Sequence, residues 1–276
     1  MQEDPITIQG TNIPRLGFGT WQLTGNDCRA AVRDALQTGY RHIDTAQIYR
    51  NETEVGLGIS DSGLPRSHFF LTTKVWYEQA HPQQVIDSTR ESLIRLGVDE
   101  VDLLLFHWPN PEVPMAETLG GLSECVSRGY ARHIGISNHN VEQLRAAVTT
   151  CREPLLTNQV EYHPFLSQKP LLPILKECGM ALTAYSPLAQ GAVFKDATLR
   201  RIGERHGKTP GQVALRWLLQ QDDVLAIPKA TGRDHIESNF RIWDFRLDDE
   251  EMASIHGLAR PDGRMIDPDW APEWDS

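Results

Sequence analysis

The regular spacing of short apolar runs is the feature that most limits how this chain can fold. Eight β-type runs end near residues 19, 44, 74, 107, 137, 160, 185 and 228, so successive ends lie 23 to 43 residues apart. Each interval fits a strand, a loop and a helix. We therefore predict one (β/α)8 TIM barrel over residues 1–276, with an N-terminal β-hairpin at Ile6–Ile13 and an irregular C-terminal tail after Gly257. A doubly wound sheet, which gives the same alternation, is the structural alternative.

Several of these runs are apolar throughout, as Leu103–Phe106 is, which is typical of strands covered on both faces. The predicted strands are Arg15–Thr20, Arg41–Asp44, Phe69–Lys74, Val101–His107, His133–Ser137, Thr157–Glu161, Ala181–Tyr185 and Val224–Pro228. The predicted helices include Asp27–Thr38, Pro82–Leu96, Val141–Thr149, Ala197–Arg205 and Pro210–Gln220. Residue types that favour helix ends predict N-caps at Asn26, Asn51, Asn140 and Thr209, and helix stops at Gly39, Gly97 and Gly179.

Net charge and the cysteine pattern limit the kinds of partner and metal site that we expect. The 276 residues carry a formal net charge of -10, which disfavours nucleic acid and anionic membrane surfaces as partners. No apolar run approaches the ~18 residues that a membrane helix needs. The N-terminus has no signal-peptide pattern, and the four cysteines have no metal-type spacing. We expect a monomeric cytoplasmic protein with a small-molecule ligand.

Four polar side chains stand at or just after the ends of apolar strands. They are Asp44, Tyr49, Lys74 and His107. Each alone has an ordinary explanation as a turn former or a packed core residue. Lys74 is the exception, because a lysine at the mouth of a buried strand needs a partner, and Asp44 on the neighbouring strand could provide it. In a barrel the carboxyl ends of the strands converge on one mouth, where barrel enzymes perform their chemistry.

Together these groups could protonate a developing alkoxide. The Tyr49 hydroxyl holds a proton at neutral pH, and we expect the Lys74 ammonium to lower the tyrosine pKa and make it a better acid. Asp44 would keep Lys74 charged, and His107 would orient a substrate oxygen. Such a site suits carbonyl reduction, which also requires a hydride source.

The sequence resembles the aldo-keto reductases along almost its full length. The motifs that carry the resemblance occur in the family's order and spacing: HIDTAQIYRNETEVG, LTTKVW, LFHWP, HIGISNHN, TNQVEYHP, AYSPLAQG and AIPKATGRDHIESN. The resemblance implies a (β/α)8 barrel, a nicotinamide cofactor across its mouth, and a catalytic tetrad of Asp44, Tyr49, Lys74 and His107 with Tyr49 as the general acid.

The same resemblance implies a set of cofactor contacts. Ser137, Asn138 and Gln159 would bind the nicotinamide carboxamide, and Tyr185 would stack on the ring. The other expected contacts are Ser186 and Leu188 near the pyrophosphate and Lys229 and Asn239 around the adenosine phosphate and adenine, with Thr20, Thr231, Arg233 and His235 as further cofactor-binding residues. Residues 230 and 235 are Ala and His, where the family often has Ser and Arg. We expect Arg233 to take over the phosphate contact, with NADPH preferred and NADH as an open alternative.

Aromatic residues after strand ends predict the substrate pocket. Trp21, Trp76 and Trp108 are expected to line it, with Phe18, Trp270 and Trp274 as further candidates. The short segment after Tyr185 and the C-terminal tail most resemble those of bacterial 2,5-diketo-D-gluconate reductases. The expected substrates are therefore small carbonyl compounds, either keto-sugar acids or methylglyoxal-like aldehydes.

Two rival functions remain at this point. A metal-dependent barrel hydrolase would need clustered ligands such as H-x-H, but His107 is followed by Trp108 and Pro109. An NADPH-binding regulatory protein with little turnover is the alternative from a different class. The four tetrad residues argue against it.

Overall fold

Helices and strands alternate along nearly the whole chain in the computed structural model, which describes residues 5–275. The strands are β1 Ile6–Ile8, β2 Thr11–Ile13, β3 Phe18–Gly19, β4 His42–Asp44, β5 Phe70–Val75, β6 Val101–Phe106, β7 Ala131–Ser137, β8 Leu155–Glu161, β9 Ala181–Tyr185 and β10 Val224–Ala226. The helices are α1 Gly25–Thr38, α2 Glu52–Ser62, α3 Pro82–Leu96, α4 Met115–Ser127, α5 Val141–Thr150, α6 Leu171–Glu177, α7 Ala197–His206, α8 Pro210–Leu219, α9 Arg233–Phe240 and α10 Asp249–His256. Short 3-10 segments occur at Gln47–Tyr49, Arg66–His68, Tyr77–Gln79 and Ala189–Lys195.

Strands β3 to β10 form one parallel sheet, in which they lie side by side in sequence order. The two outer strands of this order are also connected. Leu16 forms a parallel bridge with Ala226, and the Gly19 amide donates to the Pro228 carbonyl at 3.0 Å. The fold is therefore α/β with a curled sheet of barrel type, and the predicted hairpin is present as β1 and β2.

Apolar packing leaves one end of this sheet open for a site. A small core cluster joins Ile6, Ile8 and Ile13 of the hairpin to alternate strand residues such as Leu103 and Leu105. A larger cluster lies between the strands and the surrounding helices. Because the hairpin packs on the sheet interior, the carboxyl ends of the strands remain available for polar groups. No helix in the 5–275 range is both long and apolar enough to cross a membrane.

Most predicted elements are confirmed, with ends that shift by at most three residues. One capping prediction is wrong, and another is confirmed in position only. Helix α1 begins at Gly25, with Thr24 as its N-cap, so Asn26 lies inside the first turn. Asn51 occupies the N-cap position of α2, but its amide donates to the Thr20 and Leu23 carbonyls and makes no capping bond.

The other helix-end predictions are confirmed. Asn140 and Thr209 cap α5 and α8, each accepting from the backbone three residues on. Gly39 and Gly97 end α1 and α3 with positive φ angles of 128° and 67°, which glycine adopts without strain. Gly179 has a φ of 64° and comes one residue after the C-cap of α6.

Candidate active site

An ion pair is buried at the carboxyl ends of two adjacent strands. Lys74 Nζ lies 2.5 Å from Asp44 Oδ1 and donates to the Thr45 carbonyl at 2.9 Å. The two side chains are 0% and 1% exposed. Parallel pairing of β4 with β5 brings them together, as the sequence predicts. Burial lowers the pKa of Lys74, whereas the Asp44 carboxylate acts in the opposite direction.

Tyr49 approaches this pair from the 3-10 turn that follows β4. Lys74 Nζ lies 3.4 Å from Tyr49 Oη and 5.1 Å from the ring centroid. Arg50 ends the turn with a φ of +55°, an uncommon conformation for a non-glycine residue. The expected lowering of the tyrosine pKa is wrong for this structure, because burial and then the Asp44 charge raise the pKa of Tyr49 well above its usual value. The hydroxyl is therefore held protonated.

His107 follows β6 and faces the tyrosine. Its ring lies edge-on to Tyr49 at 5.7 Å and to Trp76 at 5.4 Å between centroids. Burial, helped by the Lys74 charge, lowers the pKa of His107 well below its usual value, so the imidazole is neutral at pH 7. Within residues 5–275, its buried Nδ1 has no hydrogen-bond partner.

The residues expected to hold a carboxamide form a network beside the ion pair. Gln159 donates to Asp44 Oδ2 at 2.8 Å, and the Ser137 hydroxyl donates to the Gln159 carbonyl at 2.8 Å. Asn138 donates to the His107 carbonyl at 3.0 Å and accepts from the Tyr185 hydroxyl at 2.9 Å. Asn138 adopts a φ of +62°, so its amide is aimed by an uncommon backbone conformation. Asn138 and Tyr185 border the open cleft, whereas Ser137 and Gln159 lie behind them.

A long cleft of about 1060 Å³ runs over the carboxyl ends of the strands. It joins the tetrad end to the loop after β10. Predicted residues that line it are Thr20, Trp21, Asp44, Tyr49, Trp76, His107, Trp108, Asn138, Tyr185, Ser186, Leu188, Lys229, Thr231, His235 and Asn239. Lys74 lies beneath Tyr49, fully buried. The Thr20 hydroxyl donates to the Asp44 carbonyl at 3.0 Å.

The other end of the cleft is open and basic. Lys229, Thr231 and His235 are exposed there, next to the first turn of α9. In the part of the chain that the structure describes, Lys229 forms no ion pair. Arg233 does not border the cleft, because its Nε donates to Glu237 at 3.1 Å across one turn of α9. Its expected phosphate contact thus requires a change of side-chain position.

The aromatic wall is only partly as predicted. Trp21, Trp76 and Trp108 border the cleft, and so does the tail residue Trp270. Trp270 packs edge-on against Trp76 and Trp108, at 6.0 and 5.1 Å. Trp274 contacts Trp108 behind this wall. Phe18 is a wrong prediction, because it is 1% exposed and packs against Tyr40 in the core.

The sequence prediction missed two segments that border the cleft. One is the loop after β9, where Gln190 and Gly191 have positive φ angles of 48° and 92°, followed by the half-exposed Phe194. The other is the tail, in which Met265 to Pro268 lie against the tetrad end. The glycine of AYSPLAQG was the only local signal for the first segment. The tail has no periodic pattern that could have placed it. Among residues 5–275, no group of three or more His, Cys, Asp or Glu side chains is arranged to hold a metal ion.

Comparison with known proteins agrees with this geometry. The Aldo/keto reductase family model matches residues 15–260. The chain is 40% identical to the methylglyoxal reductase DkgB of Escherichia coli O157:H7, over 95% of this chain and 99% of that protein. A crystal structure of a protein provisionally assigned as a 2,5-diketo-D-gluconic acid reductase B has a TM-score of 0.98 at 49% identity, covering 100% and 98% of the two chains. A Bombyx mori aldo-keto reductase in complex with NADP has a TM-score of 0.90 at 32% identity, covering 97% and 96%.

Proposed function

The chain belongs to the aldo/keto reductase family, and we propose on that premise that it reduces aldehyde and ketone carbonyls to alcohols with NADPH. The observation that carries the proposal is the position of Tyr49 Oη, 3.4 Å from a lysine that is itself paired with Asp44. The protonated hydroxyl and the neutral imidazole of His107 border one cleft, and the ammonium of Lys74 lies buried beneath the tyrosine.

We infer that the eight strands close into a complete (β/α)8 barrel that forms a single domain. The supporting observations are the bridge from Leu16 to Ala226 and the hydrogen bonds that join the first and last strands of the sheet. A barrel brings the carboxyl ends of all its strands to one face. Residues more than 100 positions apart, such as Asp44 and Gln159, can therefore be hydrogen-bonded there. We also propose a cytoplasmic monomer. Sedimentation of the purified protein would test its oligomeric state.

The described residues fit a dinucleotide along the cleft. Asn138 offers an amide at the tetrad end, and the half-buried Tyr185 ring, anchored through its hydroxyl, offers a flat face for a nicotinamide. At the other end the exposed Lys229, which forms no ion pair with residues 5–275, and the first turn of α9 suit a phosphate, because a helix N-terminus attracts anions. When bound, the nicotinamide would supply hydride to the carbonyl carbon.

The protein's own side chains donate the proton and orient the carbonyl oxygen. Tyr49 donates its proton to the carbonyl oxygen, and Lys74 stabilises the phenolate that remains. Asp44 and the Thr45 carbonyl hold the ammonium in place. His107 directs a ring N–H at the same oxygen. With cofactor and substrate in the cleft, the tryptophans that border this end would limit the access of water, which would strengthen these interactions.

Two small carbonyl classes are the proposed substrates. Methylglyoxal-like aldehydes are supported by the 40% identity to a methylglyoxal reductase, and keto-sugar acids by the structural likeness to a provisionally assigned diketogluconate reductase. A panel of both classes, followed by the absorbance of NADPH, would rank them. NADH in place of NADPH in the same panel would measure how strongly the 2′-phosphate is selected.

Replacing Tyr49 by Phe tests the proposed acid directly. We expect turnover to fall by ~10²–10⁴, the usual contribution of a general acid, while NADPH affinity stays near the wild-type value. Tyr162→Phe is the matched control, because that hydroxyl is bonded to Gln221, away from the cleft. Near-normal turnover of Tyr49→Phe would remove the residue from the acid role.

A further inference from the structure

Glu161 is a carboxylate at the carboxyl end of β8 that the proposed chemistry does not use. It is 0% exposed. Its Oε1 accepts from the Met265 amide and its Oε2 from the Ile266 amide, both at 2.9 Å. These donors lie more than 100 residues away in sequence, in the irregular tail. A buried carboxylate therefore binds the backbone of the segment that borders the cleft.

His163 supplies a third donor to the same carboxylate. Its Nδ1 accepts from the Phe165 amide at 3.3 Å, so the ring proton is on Nε2, which donates to Glu161 Oε1 at 2.9 Å. Three N–H groups thus compensate a carboxylate that is removed from water. Such a group is costly to bury unless it is well bonded, so its bonds hold the tail firmly.

Close packing fixes the chain just before these bonds. The Arg260 amide donates to the Phe165 carbonyl at 3.1 Å. At Gly263 an added Cβ would lie 1.8 Å from that same carbonyl, so only glycine permits the approach. Beyond Ile266 the tail contacts the barrel through aromatic rings, with Trp270 stacked on Tyr77 at 4.7 Å, and through two hydrogen bonds from the start of α5, to Glu273 and Asp275.

We propose that Glu161 is a positioning residue for substrate recognition, which fixes Met265 and Ile266 and thereby sets the tail segment 265–270 as the outer wall of the carbonyl end of the cleft. The inference rests on the proposed function. A large aldehyde would touch this wall, whereas a small one would be held mostly by the tetrad. Loosening the wall should therefore weaken binding of large substrates selectively.

Glu161→Gln provides the test. One carboxylate oxygen is replaced by an NH2 group, which donates and cannot accept, so a buried N–H group loses its partner. We expect the KM for benzaldehyde to rise by about tenfold and the KM for methylglyoxal by less than about threefold, with a smaller change in kcat. Hydrogen exchange at Met265 and Ile266 should become faster.

Glu251→Gln is the matched control. Glu251 is 2% exposed and accepts from His206 and the Asp248 amide at the start of α10, away from the cleft. This variant should lose stability without changing either KM or exchange in the tail. Should Glu161→Gln not fold, His163→Asn removes one donor and should shift the same readouts in the same direction by a smaller factor.

Equal changes in the two KM values, or unchanged exchange in the tail, would overturn the inference. Failure of the proposed function gives a different result. In that case the wild-type protein would not oxidise NADPH in the presence of either aldehyde. Hydrogen exchange at the tail amides would still show whether Glu161 holds them in place.

Discussion

The two ends of the cleft are built in opposite ways. At the tetrad end Asp44 and Lys74 are at most 1% exposed, and Asp44 is bonded on both oxygens, to Lys74 and to Gln159. At the other end Lys229 and His235 are exposed, and Arg233 is bonded to Glu237 of its own helix. The first end is fixed before any ligand binds. The second end leaves its charged side chains free to adjust.

This difference matches what each end is proposed to do. Proton transfer needs groups held within a few tenths of an ångström in a dry site, since electrostatic interactions are stronger there. Recognition of a phosphate on the surface needs charge more than fixed geometry. The net charge of -10 illustrates the contrast, because it is a property of the whole surface and predicts neither the buried pair nor the basic loop.

Lys74→Met should have the largest effect on stability. It leaves the Asp44 carboxylate buried without its cation, which typically costs about 3–5 kcal/mol. Lys176→Met is the control, because the Lys176–Asp222 pair is exposed and such pairs contribute under about 1 kcal/mol. Urea unfolding of both variants at pH 7 would measure the difference. A loss below about 1 kcal/mol for Lys74→Met would contradict the contrast between a fixed and an adjustable end.

A second comparison uses the histidines at the two ends. His139, next to Asn138, is 2% exposed, and burial lowers its pKa to about 4. Above pH ~6.5 it is neutral in both the folded and the unfolded protein. As the pH falls below ~6.5, the unfolded chain takes up a proton and the folded protein does not, so stability is lost until the pH reaches about 4. The total loss from this residue is about 3 kcal/mol.

His139→Gln should therefore reduce the slope of unfolding free energy against pH by up to about 1.4 kcal/mol per pH unit between pH 6 and 4.5. His235→Gln is the matched variant, because His235 is an exposed histidine at the other end of the cleft. Urea titrations at pH 7, 6, 5 and 4.5 distinguish the two variants. Identical slopes in both variants would show that burial at the tetrad end does not control this titration.

A feature could be predicted from the sequence where nearby residues determine it, and could not where residues far apart in the chain determine it. The strands and the pairing of Asp44 with Lys74 were predictable, because apolar runs and their spacing are local and parallel strands align their ends. The sign of the Tyr49 pKa shift was not, because it depends on how deeply the ring is buried. Asn51 has the residue type of an N-cap, but two carbonyls from a distant loop bind its amide instead. Residues 265–268 of the tail could not be placed, because their position depends on bonds to Glu161, more than 100 residues earlier.

Arg233→Ala has the smallest expected effect and tests the adjustable end. If Arg233 leaves Glu237 to bind the 2′-phosphate, the variant should raise the KM for NADPH by about three- to tenfold and leave that for NADH unchanged. Arg241→Ala is the control, since Arg241 also pairs with Glu237, at 2.6 Å, but from the far end of α9. Steady-state kinetics with both cofactors would measure the effects. Unchanged parameters for both cofactors would leave Lys229 as the main phosphate ligand. The basic end of the cleft would then bind phosphate through one lysine, without any rearrangement of the Arg233–Glu237 ion pair.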